Sequence, residues 1–200
     1  VNVVVLASGE GSNFEALVRG AKNYTVTSLI SDKANCGAVR RAKALSIRSI
    51  ILQDNLLGLI KQESPDLVAL AGFMRILKPN IVDEFCCINI HPSLLPKYPG
   101  LDTHKRALSA GEHEHGCTVH LVDHGVDTGP KIAQSKLTVK NDDTEDSLRA
   151  RVKELEHTLF PWVLNNLSLG EISIERDISP PKICYSAGLR SEANSKGFIL

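Results

Sequence analysis

The chain has 200 residues, and its 23 lysines and arginines balance 23 aspartates and glutamates, for zero formal charge with histidines neutral. That balance argues against a nucleic-acid partner, which needs a basic excess to displace condensed counterions. A membrane span is also excluded: it needs roughly 18 consecutive apolar residues, and the best core-like stretch, Leu67 to Met74, has eight.

The apolar fraction of 42% and charged fraction of 23% fit one globular domain. Five cysteines, an odd number in apolar contexts, fit no disulfide framework, so a reducing cytoplasm is expected. Asn2 to Ala7 is a β-branched run that reads as a strand buried on both faces. A turn at Ser8-Gly-Glu-Gly11 leads to a helix from Ser12 to about Lys22. Further strands are expected at Tyr24 to Ser31, Ile47 to Gln53, Leu67 to Ala71 and Cys86 to Ile90, with helices at Gly37 to Leu45 and Asn55 to Glu63. This alternation predicts an α/β fold: an open, mostly parallel twisted sheet with helices on both faces.

After residue 91 the rhythm changes. His91 to Gly100 holds three prolines and excludes regular structure. Thr103 to Ala110 reads as helix, and Thr118 to Val122 and Lys131 to Val139 as strands of an antiparallel C-terminal portion. Asp142-Asp-Thr144 caps a long helix from about Glu145 to Leu167, with acidic residues where the helix dipole favours them. From Pro180 onward there is little periodicity, so residues 176–200 are expected to be a tail, poorly ordered or lying along the surface.

Three segments carry chemistry. The turn Ser8 to Asn13 opens a helix whose free amides attract an anion. The dinucleotide fingerprint wants a third glycine where Phe14 stands, although Asp32 sits where a ribose-binding acid would belong. Ser12 and Asn13 add side-chain donors that suit one terminal phosphate; a plain tight turn explains the same residues. Asn89 and His91 lie two apart at a strand end and project from one face, with Ile88 and Ile90 on the other. An amide beside an imidazole can hold and protonate an oxygen that turns negative, as in acyl transfer; a simple hydrogen-bonded pair is the alternative. Asp127 in Asp-Thr-Gly-Pro130 reads first as a turn cap. If it reached His91 it would raise that pKa and hold an imidazolium.

Six of the seven histidines fall between His91 and His124. His113, His115 and Cys117 alternate across a loop-to-strand junction without metal-ligand spacing, so no metal is expected and solvated loop histidines are the default. No Gly-x-Ser-x-Gly elbow is present and no cysteine has an evident activating neighbour, which suggests direct attack by a substrate's own group.

Asn89-Ile-His-Pro-Ser-Leu-Leu-Pro-Lys-Tyr-Pro-Gly100, with Ala71 to Leu77, His115 to His120 and Asp127-Thr-Gly129, resembles the folate-dependent formyltransferases. Among them the chain is most similar to members that act on glycinamide ribonucleotide in purine synthesis, from Asn2 to about Glu171. The resemblance implies a Rossmann-like formyltransferase domain over residues 1–175. Its nucleotide-binding half would span about 1–85 and its folate and catalytic half about 86–175. It also implies 10-formyltetrahydrofolate as co-substrate, no metal, and a monomer or homodimer whose partners are small molecules.

In that family pattern Asn89, His91 and Asp127 are catalytic and His120 supports them. Gly11, Ser12 and Asn13 cradle the phosphate, while Lys153 and Glu156 meet the ribonucleotide. Met74, Arg75, Ile76, Leu77 and Asn89 hold the folate, together with the loop Asp123, His124, Gly125, Val126 and Asp127. One departure is the short Gln53 to Gly58 segment, which lacks the cation that relatives offer the folate tail; Lys61 is a distant substitute. The competing readings are a formyltetrahydrofolate hydrolase, a formyltransferase acting on initiator methionyl-tRNA, and a non-catalytic nucleotide-binding module. The hydrolase is expected to carry a regulatory domain and the tRNA enzyme a basic one, neither of which these residues supply.

Overall fold

A computed structural model describes all residues from Val1 to Leu200. In chain order the elements are β1 (Asn2–Leu6), α1 (Ser12–Gly20), β2 (Thr25–Ser31), α2 (Gly37–Ala44), β3 (Arg48–Ile51), α3 (Leu56–Glu63), β4 (Leu67–Leu70), α4 (Pro79–Glu84) and β5 (Cys87–His91). They continue with α5 (Thr103–Ser109), β6 (Glu114–Leu121), β7 (Lys131–Thr138), α6 (Glu145–Ser168), β8 (Ile172–Glu175), β9 (Lys182–Tyr185), α7 (Leu189–Ser195) and β10 (Phe198–Ile199). No helix is long and apolar enough to cross a membrane.

Eight strands form one sheet in the order β10-β7-β6-β5-β4-β1-β2-β3, and β8 and β9 form a separate hairpin. The strands from β3 to β5 are parallel, and β5-β6, β6-β7 and β7-β10 are antiparallel. Strand alternation splits the interior. Val3 and Val5 of β1 join a large core against α1, α2 and α6, while Val4 and Leu6 join a smaller one against α3 and α4. Burial on both faces explains why β1 and β4 are almost purely apolar.

Strand order reverses at β1, between its neighbours β4 and β2, and the loops leaving β1 and β4 are bonded there. The Ser8 amide donates to the Gly72 carbonyl (3.1 Å) and the Met74 amide to the Ser8 hydroxyl (3.1 Å). In an open α/β sheet this carboxyl-end crevice is the usual ligand site.

The N-terminal half of helix α6 lines the crevice. Thr144 and Ser147 cap it reciprocally, and Leu148, Val152, Leu159 and Val163 make its buried stripe. Glu156 occupies a place in that same stripe.

Three expectations need correction. Strand β6 starts at Glu114, so His115 lies inside a strand rather than in a loop, and it is buried. His104 is buried as well, and its Nδ1 lies 3.1 Å from His115 Nε2. Residues 176–200 are not a structureless tail. They complete the β8-β9 hairpin and form α7 and β10, with Leu189, Ala193 and Phe198 in the main core. Strand β10 pairs with Gln134 and Ser135 of β7, while the Tyr185 hydroxyl donates to the Ile132 carbonyl (2.8 Å) and Arg151 to the Thr138 carbonyl (2.8 Å). Helix α4 had no sequence signal beyond its initial proline.

Phe198 packs on Trp162 with ring centroids 5.1 Å apart. Phe198→Ala is expected to cost about 3 kcal/mol of unfolding free energy, as for a truncated core aromatic. Urea denaturation measures this; an unchanged midpoint would mean that the C-terminal segment lies outside the cooperative core.

Candidate active site

The crevice is a cavity of about 590 Å³, within the range of small-molecule sites. It is walled by the loop after β4, the end of β5, residues 100–104, the end of β6 with the loop after it, and one face of α6.

Antiparallel pairing of β5 with β6 sets Asn89 opposite His120 and His91 opposite Thr118. The Asn89 Nδ2 donates to His120 Nε2 (3.1 Å), whose Nδ1 donates to the Leu121 carbonyl (2.9 Å). That carbonyl engages the Nδ1 proton, so in the neutral ring Nε2 accepts from Asn89, and only a protonated ring also donates to Asp127. Asp127 folds back over the pair with φ 55°, a left-handed conformation that costs a non-glycine residue energy. Its Oδ2 lies 3.2 Å from His91 Nδ1 and accepts from the Gly100 amide (2.8 Å). Its Oδ1 lies 3.4 Å from Asn89 Nδ2 and 3.5 Å from His120 Nε2. One carboxylate thus touches all three partners that sequence reasoning grouped with it.

Burial raises the Asp127 carboxyl, but the His120 ring, the Gly100 amide and His91 more than offset this and hold it below the usual range. His91 departs from expectation. Burial lowers its pKa and outweighs the Tyr98 carbonyl and Asp127, which both raise it. Asp127 therefore does not by itself keep His91 an imidazolium at neutral pH.

Asn13, Lys153 and Glu156 line the same cavity. Asn13 Nδ2 donates to Glu156 Oε2 (2.8 Å), and Asn13 Oδ1 is buried without a partner. Burial pushes Glu156 up to about 7, against the lowering effects of Asn13 and Lys153. Gly11 and Ser12, at the N-terminus of α1, precede Asn13 but do not themselves line the cavity. Gly11 has φ 77°, and a Cβ there would meet the Ala38 Cα at 2.4 Å, so only glycine lets α1 approach α2 this closely.

Met74, Ile76 and Val126 line the cavity as exposed apolar side chains, with Leu77 buried beside them. Asp123 also lines it and holds its loop by accepting from the Gly125 amide (3.0 Å) and the Thr128 hydroxyl (2.7 Å). Arg75 contributes to the wall while pairing with Asp32 (3.0 Å), so Asp32 is an ion-pair partner rather than a ribose ligand. The expected folate residue His124 leaves the cavity: its ring meets Asp83 of α4 at 2.8 Å on the exposed side. Lys61 is likewise engaged, with Glu84 at 2.9 Å.

Sequence reasoning missed Leu101, Asp102, His104 and Arg149 as wall residues. Arg149 was findable, because Glu145, Arg149, Val152, Lys153 and Glu156 recur at helical spacing on the α6 face. No group of three histidine, cysteine or acidic side chains gathers to hold a metal.

The family model described as formyl transferase matches residues 1–164. The chain is 40% identical over 194 residues to phosphoribosylglycinamide formyltransferase of Escherichia coli K12, covering 88% of this chain and 92% of that one. It is 41% identical to the trifunctional purine biosynthetic protein adenosine-3 of Drosophila melanogaster, spanning 88% of this chain but 14% of that longer protein. Among solved structures, phosphoribosylglycinamide formyltransferase of Anaplasma phagocytophilum superposes with a TM-score of 0.86 at 31% identity, covering 93% of each chain. With the family pattern matched over most of its length and Asn89, His91 and Asp127 gathered at the sheet's carboxyl end, the chain belongs to the formyl transferase family.

Proposed function

We propose that this protein transfers the formyl group of 10-formyltetrahydrofolate to the amine of N1-(5-phospho-D-ribosyl)glycinamide, a step in de novo purine (IMP) synthesis. The observation that carries this reading is that Asn89, His91 and Asp127, joined through one carboxylate, line the same cavity as an apolar set, Met74, Ile76 and Val126, and a polar set, Asn13, Lys153 and Glu156.

The apolar set suits a flat pterin, with the backbone of residues 123–127 available for its polar edge. In the polar set, the unpaired Asn13 Oδ1 lacks an N–H donor that a glycinamide amide would supply. A carboxyl titrating near neutrality, as Glu156 does, can both accept from and donate to ribose hydroxyls. The α1 amides with Ser12 would take the phosphate, which needs no basic field.

The co-substrate brings an activated formyl carbon, and the attacking group is the ribonucleotide amine. No cysteine nucleophile competes with it. None of the five cysteines lines the cavity, and burial raises Cys86, Cys87 and Cys117 away from thiolate formation. Asn89 keeps its 3.1 Å bond to His120 and turns the N–H of its longer 3.4 Å contact onto the formyl oxygen as charge develops there. The protonated His91 ring, with Nε2 kept on the Tyr98 carbonyl, donates the Nδ1 proton to that oxygen or to the departing nitrogen, and its lowered pKa makes it a ready donor. Asp127 stabilises the imidazolium while it exists and accepts the attacking amine's proton through His91 or water.

Asn89→Ala and His91→Ala are expected to fold normally and to lose about 10²- to 10³-fold in kcat, the usual cost of one oxyanion donor. The assay is run with and without glycinamide ribonucleotide; near-normal turnover in either purified variant removes the assignment. Folate turnover in the wild type without the ribonucleotide would instead make the enzyme a hydrolase.

Glu156 adds a pH dependence of known sign. Its folded pKa of about 7 lies above the ordinary 4.5, so its stabilising contribution is complete below pH 4.5 and is lost as pH rises through 7. Glu156→Gln removes that loss, and the variant is expected to gain on the wild type by on the order of 3 kcal/mol between pH 4.5 and 8. Urea melts of the ligand-free proteins at both ends of that window measure it; an equal difference at both pH values would place the carboxyl at its ordinary pKa.

A further inference from the structure

Residues 92–102, between β5 and α5, have no helix or strand, yet Ser93 and Leu95 are buried. Irregular backbone removed from water must find partners for its amides and carbonyls. Thr118, itself fully buried, supplies two of them. Its hydroxyl accepts from the Leu95 amide (3.0 Å) and donates to the Ser93 carbonyl (2.7 Å). It also accepts from Gln134 Nε2 (2.8 Å), which donates again to the Leu95 carbonyl (3.0 Å). A hydroxyl offers one donor and two acceptor sites, and all three are used.

The loop pinned in this way returns to His91. Ser93 Oγ donates to the Lys97 carbonyl (2.6 Å) and reaches the Tyr98 carbonyl (3.3 Å). Tyr98 has φ 57°, a strained value for a non-glycine residue, and its carbonyl lies 2.9 Å from His91 Nε2. A carbonyl only accepts, so Nε2 carries the proton of the neutral ring, and Nδ1, 3.2 Å from Asp127, is the nitrogen that gains the second proton when the ring is charged. The remaining grips on Tyr98 act on its side chain: Arg106 sits 5.2 Å from the ring centroid, and the hydroxyl donates to Glu112 (2.8 Å).

We propose that Thr118 is a positioning residue for His91: its hydroxyl fixes the 92–99 loop so that the Tyr98 carbonyl dictates which ring nitrogen faces Asp127. The kinetic effect rests on the formyl-transfer reading; the effect on the ring does not.

The test compares Thr118→Val, Thr118→Ser and Ser93→Ala with the wild type. Thr118→Val is expected to lose roughly 10- to 100-fold in kcat, the cost of a small misplacement of a reacting group, with both KM values within about twofold. Thr118→Ser, which keeps the hydroxyl, restores most of that activity. Nitrogen-15 spectra of the ring report the proton directly: on Nε2 in the wild type, shared between both nitrogens in Thr118→Val. Should the valine variant fail to fold, Ser93→Ala, which leaves the Thr118 anchor in place and removes the bonds to the Lys97 and Tyr98 carbonyls, is expected to give the same spectral change. Wild-type kcat with the proton still on Nε2 overturns the proposal, as does a loss that serine does not restore. If His91→Ala turns over normally, the formyl-transfer reading fails, and the ring spectra alone decide the role of Thr118.

Discussion

A single strand pairing sets the chemistry of this protein. In the antiparallel ladder between β5 and β6, Asn89 faces His120 and His91 faces Thr118, so four polar side chains share one side of the sheet. Their apolar neighbours Ile88, Ile90, Cys117 and Val119 share the other side and belong to the main core. Because side chains alternate with period two, a slip of one residue would send the polar set into the core and the apolar set into the crevice. The hydrophobic free energy of the core therefore enforces the geometry of the Asn89 amide and the His91 imidazole. Asp127 arrives from a loop and is held by the groups it serves, which is why its backbone tolerates a left-handed φ.

The site works without a strong field of either sign. With 23 charges of each kind, the chain carries no net charge. It relies on burial and on hydrogen bonds aimed from fixed backbone. Burial lowers His91 and raises Glu156, so both groups favour their neutral forms more than they would in water. Each such group costs the fold stability when it carries its charge, and a ligand that hydrogen-bonds to it recovers part of that cost. His104 and His115 follow the same logic: burial lowers both pKa values, His104 to about 4, and their mutual contact suits neutral rings.

What could be read from the chain depended on whether a signal was local. Strands β1 and β4 were legible because burial on both faces leaves uninterrupted apolar runs. Asn89 and His91 were legible because their spacing at a strand end fixes a shared face. Asp127 was visible only as a turn residue, since its reach to His91 depends on a left-handed backbone and on the Gly100 amide. The start of β6 was hidden by Glu114-His115, whose polarity reads as loop although the His115 ring is buried against His104. The C-terminal elements were missed because each is short and its apolar residues are buried by surfaces from far away, as Phe198 is by Trp162.

The far edge of the sheet shows how such short elements matter. Strand β7 has eight residues, and an unpaired edge of that length is a template on which another chain could build. Strand β10 pairs with only two of its positions. Elsewhere the carbonyl of Ile132 is taken by the Tyr185 hydroxyl and that of Thr138 by Arg151. The edge is thus closed by individual side chains as much as by a strand, so assembly by continuing the sheet from one molecule into the next is blocked on this side. At the opposite edge, β3 offers only four residues, with Arg48 and Ser49 exposed. The fold therefore keeps its sheet finite while leaving the carboxyl ends of β1, β4 and β5 open to small molecules.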